Sequence, residues 1–332
     1  MFKLIKLLFV IAVLLVFTVG GVFFWLVSSP LELKVEQVDF HIPPGSSLRA
    51  SAKEISSSGV LVDPLLLIAL AKAMRVESTI KAGSYEIKRG ITLLELLNKL
   101  TRGDVTQTDI AFIEGWTFRQ WRERLNTHPE LRHDTRDLSD QEIMRLIGAP
   151  EVLPEGLFFP DTYLFSKQSR DVDVLARAYR TMQRHLVREW ENREAGLPYK
   201  DIQQALVMAS IIEKETGRDQ DRPMVAAVFV NRLRQGMLLQ TDPTVIYGLG
   251  EGFDGNLRKR DLLTDTPYNT YTRAGLPPTP IATPGLASLH AALHPARSQA
   301  VYFVARGDGS SQFSRTLDEH NQAVNRYQRG GK

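Results

Sequence analysis

The chain has no cysteine, which excludes disulfide scaffolds, thiol catalysis and cysteine metal sites together. It also lacks a dominant charge. Lys and Arg total 41 against 38 Asp and Glu, leaving +3 over 332 residues, so there is no electrostatic footprint for nucleic acid. No internal repeat or low-complexity tract appears, and 23 Gly with 17 Pro are too few for a collagen-like or disordered chain. Several catalytic signatures are missing as well. Gly-x-Ser-x-Gly does not occur. Ser78 and Lys81 have Ser-x-x-Lys spacing but lack the companion motifs of penicillin-binding acyl-transferases. Gly250, Gly252 and Gly255 match a dinucleotide fingerprint in letters only, because no alternating strand–helix unit follows and the sequence reads there as a turn. His290 and His294 are four apart, but Ala291 stands where His-Glu-x-x-His needs its Glu, so they read as packing or helix-surface histidines. No metal and no organic cofactor is expected.

One apolar run is long. Leu7 to Val27 carries no charge, and at 1.5 Å per helical residue it covers about 30 Å, the thickness of a bilayer's hydrocarbon. Lys3 and Lys6 precede it, while Ser28-Ser29-Pro30-Leu31-Glu32 follows without clustered positive charge. The positive-inside rule then leaves residues 1–6 in the cytoplasm, makes 7–27 a single-pass transmembrane helix and exports the rest. A cleavable signal peptide is the rival reading, but its apolar core runs only 7–15 residues. Export disfavours nucleotide and nucleic-acid chemistry.

The exported part divides in two. Val38, Phe40 and Ile42 alternate with polar residues up to Pro43-Pro44-Gly45, as a strand and turn do. Helices are expected at 46–55 and 64–74, and a returning strand at Gly83–Ile87. Thr92-Leu93-Leu94-Glu95 is a capping box for a helix that stops at Gly103. Residues 31–108 thus form a small α+β module with no evident catalytic group. From Asp109 a larger mixed α+β domain runs to residue 329. Its first stretch, to about 148, is charged and helix-biased, and Pro154–Tyr163 is dense in aromatic and turn residues. Helices follow at 171–195, 201–216 and 222–235. Residues 236–295 are rich in Gly, Pro, Thr, Asn and Tyr, the loop composition from which clefts are built on rigid scaffolds.

The helix at 201–216 carries the chemistry. Asp201 and Gln204 suit its N-terminus and Gly217 its C-terminus. Glu213 and Glu215 lie in the last turn, where the helix dipole disfavours anions. Glu215 follows Met208, Ile211 and Ile212 on the apolar stripe, whereas Glu213 stacks over Ala209 and Ser210. Desolvation and the dipole both raise the pKa of a carboxyl in the position of Glu215, and a glycosidic general acid needs a proton near neutral pH.

Ala209–Thr216, Val230-Asn231-Arg232-Leu233 and Leu239–Gly248 together resemble the YceG-like family. Phe159–Tyr163, Tyr268–Tyr271, Gly275–Pro278, Ile281–Gly285 and His320-Asn321 continue the resemblance. It implies an endolytic lytic transglycosylase of the bacterial inner membrane, with its catalytic domain on the periplasmic side and a LysM-like module at 31–108. The implied substrate is peptidoglycan glycan, cut between MurNAc and GlcNAc to leave 1,6-anhydro ends, and peptidoglycan synthases are implied partners. The implied acid–base residue is the second Glu of Glu213-Lys214-Glu215. Gln240, Thr241, Asp242, Tyr247, Asn269 and Tyr271 carry groups that hold sugars, or else fix loop backbones. Glu155 and Asp161 either line the cleft or cap turns. Two alternatives stay open: a hydrolytic muramidase with Asp242 or Asp161 as second carboxylate, and a non-catalytic wall-binding scaffold.

Overall fold

A computed structural model describes residues 2–330; Met1, the first residue of the expected cytoplasmic segment, lies outside the described residues. The chain forms two compact units. One is built from the chain up to Asp109 together with Leu164–Ser169, the other from Ile110–Tyr163 and the chain from Arg170 onward. Residues 164–169, which the sequence reading assigned to the larger domain, thus sit with the smaller unit.

The smaller unit opens with α1 (Phe2–Ser28). Within it Phe9–Ser28 has a mean hydropathy of 2.7 and is, among the described residues, the one helix long and apolar enough to cross a membrane. Among its described side chains, Val27 near the end is buried and packs with the unit's core, with Phe23 partly buried against it. Then follow β1 (Glu32–Leu33), β2 (Gln37–Ile42), α2 (Leu48–Ser57), β3 (Val60–Leu61), α3 (Pro64–Ala73), β4 (Gly83–Lys88) and α4 (Leu93–Arg102). Alternation dictates the pairing of β2 with β4. Val38, Phe40 and Ile42 all point to one side and are buried, opposite Ile87, Tyr85 and Gly83 in antiparallel register. Gly83 has φ +144°, and a Cβ there would lie 2.5 Å from Val105, so only glycine fits. The Thr92–Glu95 capping box forms as the sequence predicts, and Gly103 ends α4 in the left-handed conformation. Leu93, Leu96, Leu97 and Leu100 of α4 close the core.

β5 (Gln107–Ala111) leads into the larger unit, which continues through α5 (Phe118–Asn126), β6 (Leu131–Arg132) and α6 (Asp140–Leu146). The charged, helix-biased stretch is two short capped helices. The first buries Phe118, Trp121 and Leu125 and leaves its charges on the solvated face. β7 (Thr162–Ser166) and β8 (Ser169–Arg170) precede α7 (Asp171–Glu191), α8 (Ile202–Glu215) and α9 (Arg222–Arg234). The expected loop region 236–295 contains more helix than its composition suggests: α10 (Asp242–Leu249), a 3-10 turn at Gly250–Gly252, α11 (Lys259–Leu263) and α12 (Leu286–Leu293). The hairpin of β9 (Tyr302–Ala305) and β10 (Ser311–Ser314) and then α13 (Leu317–Tyr327) complete the unit. At its centre α8 is buried on all sides from Ala205 to Ile212, with α7, α9, α10 and α12 packed around it. An all-round apolar helix must lie inside, and this rigid post fixes whatever its last turn carries.

Candidate active site

The two ends of α8 are built differently. At the start, the Asp201 side chain accepts from the Gln204 N–H at 2.9 Å, while Gln204 Oε1 accepts from the Lys200 N–H. The reciprocal bond thus falls one residue earlier than a capping box puts it. At the end, Thr216 turns the chain with extended backbone, φ −147° and ψ 128°, and the conformational freedom of Gly217 is not used.

This last turn separates the two glutamates. Glu213 accepts the Gly285 N–H at 2.9 Å, and one turn earlier Ser210 Oγ accepts the Ile281 N–H at 3.0 Å. One side of α8 therefore holds the 281–285 segment, and Glu213 is part of that tie. Glu114 packs on the same segment, its carboxyl raised above the usual range by burial and then by Glu213. A Cβ at Gly285 would meet the Glu114 carboxylate, so a larger residue there would have to push that flexible side chain aside. Glu215 points elsewhere, into a cleft of about 400 Å³ lined also by Arg232, Gln240, Asp242, Tyr271, Tyr302 and His320.

Loss of water drives the Glu215 pKa up. The nearby Asp242 adds to that shift, while a hydrogen bond from Thr241 and the positive charge of Arg232 oppose it. Thr241 Oγ1 donates to Glu215 Oε1. A buried hydroxyl network fixes this threonine: its N–H donates to Thr270 Oγ1 at 3.0 Å, and Thr244 Oγ1 bonds both its carbonyl, at 2.8 Å, and Thr270 Oγ1, at 2.9 Å. Just before it, Gln240 adopts φ +50°, a left-handed conformation that costs a non-glycine residue about 1–2 kcal/mol and tends to cluster at functional sites. The Tyr271 hydroxyl donates to Asp242 Oδ1 at 2.6 Å. Gln240, Thr241, Asp242 and Tyr271 are therefore gathered around Glu215.

The other expected contacts lie elsewhere. Asn269 is fully buried, and its amide donates to the carbonyls of Asp261, Leu262 and Thr264 at 3.3, 3.0 and 2.7 Å. Its Oδ1 accepts the Tyr271 N–H at 2.9 Å, so this side chain fixes a loop instead of facing the cleft. Asp161 binds the next backbone N–H, that of Thr162, at 2.7 Å, the turn-capping alternative. Glu155 and Tyr247 meet in a second and larger cavity of about 780 Å³, floored by Phe118, Ile246 and Tyr268. There Glu155 accepts the Phe118 N–H and the Tyr247 hydroxyl, each at 3.0 Å. Burial nonetheless pushes its carboxyl up to about 7. Gly156 lets the segment close, because it has φ +78° and a Cβ there would sit 2.5 Å from Pro280.

Three residues of the Glu215 cleft were not singled out from sequence. Arg232 is buried, donates from Nε to the Val301 carbonyl at 2.7 Å and from a terminal nitrogen to that of Leu239 at 2.8 Å, and lies over the Tyr302 ring at 5.3 Å. His320 stacks on Tyr302 with ring centres 5.2 Å apart, and burial followed by Arg232 holds its pKa down. Arg232 and His320 stand in the motifs quoted above, which was a usable signal. Tyr302 gave none.

These features define a class: α+β proteins behind one N-terminal apolar helix, with a part-buried, protonatable carboxyl in a polar and aromatic cleft. The particular family is YceG-like. The family model matches residues 40–326, and the chain belongs to that family. The endolytic murein transglycosylase of Bacillus subtilis strain 168 is 32% identical over 87% of this chain and 84% of its own length. The endolytic murein transglycosylase of Streptococcus pneumoniae D39 is 24% identical over 85% of this chain but only 57% of its own length. A 2.6 Å crystal structure of a YceG-like protein from Listeria monocytogenes matches with a TM-score of 0.54 and 29% identity, covering 86% of this chain and 98% of that one.

Proposed function

We propose that this chain is a lytic transglycosylase that cuts peptidoglycan glycan strands internally, with Glu215 as its single acid–base group. The observation that carries the reading is the desolvated Glu215 carboxyl, held by Thr241 on one oxygen at the wall of a cleft. Relatives of the same family are named endolytic murein transglycosylases. In the ground state Glu215 is protonated and gives its proton to the glycosidic oxygen between MurNAc and GlcNAc as the C1–O bond breaks. The carboxylate then takes the proton of the MurNAc 6-hydroxyl, whose oxygen closes on C1. The products are a GlcNAc 4-hydroxyl end and a 1,6-anhydro-MurNAc end. No water is consumed and Glu215 returns to its protonated form. One group thus serves both steps, unlike the carboxylate pair of hydrolases.

Gln240, Asp242 and Tyr271 hold the sugar beside Glu215, Thr241 orients its carboxyl, and Glu155 with Tyr247 contacts the strand further along. The apolar helix anchors the enzyme with residues 1–6 in the cytoplasm, the 31–108 region serves as a LysM-like wall-binding module, and the catalytic domain, 109–329, works on the extracytoplasmic side. Tethering confines the cut to glycan near the membrane, where synthases work.

The test uses the full-length protein in detergent, beside Glu215→Gln, on uncrosslinked peptidoglycan strands with products read by mass spectrometry. Ends one water lighter than hydrolysis products, absent with the variant, are expected. Reducing ends would replace this reading with a muramidase. Inertness of the native enzyme in its own membranes would leave a scaffold.

A further inference from the structure

The sequence offered His290 and His294 without a third ligand; the fold supplies one from more than a hundred residues away. Glu189 lies in the last turn of α7 and is 9% exposed, an uncomfortable place for a carboxylate at the negative end of a helix. His290 and His294, one turn apart on α12 and at its end, both reach back to the end of α7. His290 Nδ1 is 2.8 Å from Glu189 Oε2, and His294 Nε2 is 2.8 Å from the Asn192 carbonyl just past α7. The two rings stack with centres 4.2 Å apart. One ligand atom from each of Glu189, His290 and His294 lies within 4.8 Å of the others.

We propose that Glu189, His290 and His294 form a site for a divalent metal ion of the zinc class. Two imidazoles and one carboxylate are a common donor set for zinc with a fourth position open to water. Bond lengths of 2.0–2.1 Å in a tetrahedron separate neighbouring ligand atoms by about 3.3 Å, so the widest of the three separations closes by at most about 1.5 Å, while His290 Nδ1 and Glu189 Oε2, now 2.8 Å apart, open slightly. His290 can supply that movement, because its side chain is 60% exposed. At His294, Nδ1 faces the His290 carbonyl at 3.2 Å and Nε2 the Asn192 carbonyl at 2.8 Å, so a metal ion would take one of these nitrogens in place of, or alongside, that carbonyl. It also adds positive charge beside Glu189 at the α7 terminus, where Arg188 already lies 3.4 Å from its other oxygen. Since α12 packs against both α7 and α8, the ion would clamp the helix that backs the Glu215 post. The role is structural and does not depend on the reaction proposed above.

The test takes the full-length protein in detergent, stripped with a chelator and titrated with Co²⁺ as a coloured stand-in, followed by Zn²⁺ displacement. Tetrahedral visible bands at one ion per chain are expected, weakened at least tenfold in affinity in His290→Ala and in His294→Ala. Zinc at a hundredfold over its dissociation constant should raise the unfolding midpoint of the native protein by about 5–10 °C and leave the double variant unmoved. His290→Ala removes an exposed ring, so its reading stands even if His294→Ala folds poorly. Octahedral Co²⁺ only, an unmoved midpoint, or variants that bind as the native chain does would each overturn the site.

Discussion

Two desolvated carboxyls in the larger unit, Glu155 buried and Glu215 part-buried, face two different cavities, and α10 runs from one to the other: Asp242 at its start lines the Glu215 cleft, and Tyr247 near its end lines the Glu155 cavity. Each carboxyl is raised first by loss of water, and each receives one side-chain hydroxyl, Thr241 for Glu215 and Tyr247 for Glu155. The difference is the backbone. Glu155 also takes the Phe118 N–H at the first turn of α5, where orphan donors and the dipole welcome an anion. Glu215 sits at the opposite end of its helix, where no such donor exists. Burial alone does not make a carboxyl into an acid catalyst. Glu155 is a buried group tied down by the fold, whereas Glu215 keeps one oxygen that the fold does not use.

The sharpest way to break this contrast is exchange for the amide. Glu215→Gln should lower strand cleavage by about 10²–10⁴-fold, the usual worth of a positioned general acid, with the fold intact by circular dichroism. Glu155→Gln should leave measurable cleavage in the same assay. Equal losses in both would erase the distinction and point to two catalytic carboxyls.

The second effect concerns stability. Glu155 is pushed up to about 7 from an ordinary 4.5, so between these values the native state holds a proton that the unfolded chain has lost. The stabilisation from its neutral form is complete below about pH 4.5 and disappears as pH rises to about 7, a swing of about 3 kcal/mol. Glu155→Gln cannot titrate. The stability difference between native and variant, measured by denaturant unfolding at a series of pH values, should move against the native protein by that amount over this window. A flat difference would mean that the Phe118 N–H and the Tyr247 hydroxyl fully offset burial.

How much of this contrast the sequence carries depends on the range of each interaction. The neighbourhood of Glu215 is written locally, in an apolar helix ending in Glu213-Lys214-Glu215 and in the Leu239–Gly248 and Tyr268–Tyr271 stretches. The capping box at Thr92, the alternation in β2 and the apolar run within α1 are equally short-range, and they were legible for that reason. The stripe argument for Glu215 was less discriminating than it looked, because α8 is buried all round from Ala205 to Ile212. What separates the two glutamates is the Gly285 N–H on Glu213, a contact across 72 residues that no periodicity encodes. The same holds for Asn269, whose polar amide suits sugar or loop equally until its three carbonyl partners are seen. It holds again for the pairing of Glu155 with Tyr247 across 92 residues. The short helices inside 236–295 escaped because Gly, Pro and Thr at their caps dominate the local composition.

The third prediction removes the hydroxyl from the cleft. Thr241 donates to the charged form of Glu215 and so lowers its pKa; Thr241→Val should raise it further. The basic limb of the pH–rate profile, where Glu215 loses the proton it must donate, should then shift to higher pH by up to about one unit, the worth of a single hydrogen bond to a charged group. Movement of that limb downward would mean that Thr241 supports the neutral acid.

Tyr247→Phe is the matching change in the other cavity and carries the smallest expected effect. It removes one hydroxyl and leaves the ring packed against Tyr268, 4.9 Å between centres. The bond it deletes favours ionised Glu155, so its loss should be felt where that carboxyl is charged. Above pH 7 the variant should be about 1 kcal/mol less stable than the native protein, and below pH 4.5, where the neutral carboxyl needs the bond less, the two should converge. The Glu215-dependent limb of the rate profile should stay in place, because Tyr247 has no bond to that group. If the rate profile moved and the stability profile did not, α10 would be transmitting the state of one cavity to the other, and the two carboxyls would have to be treated as one coupled system.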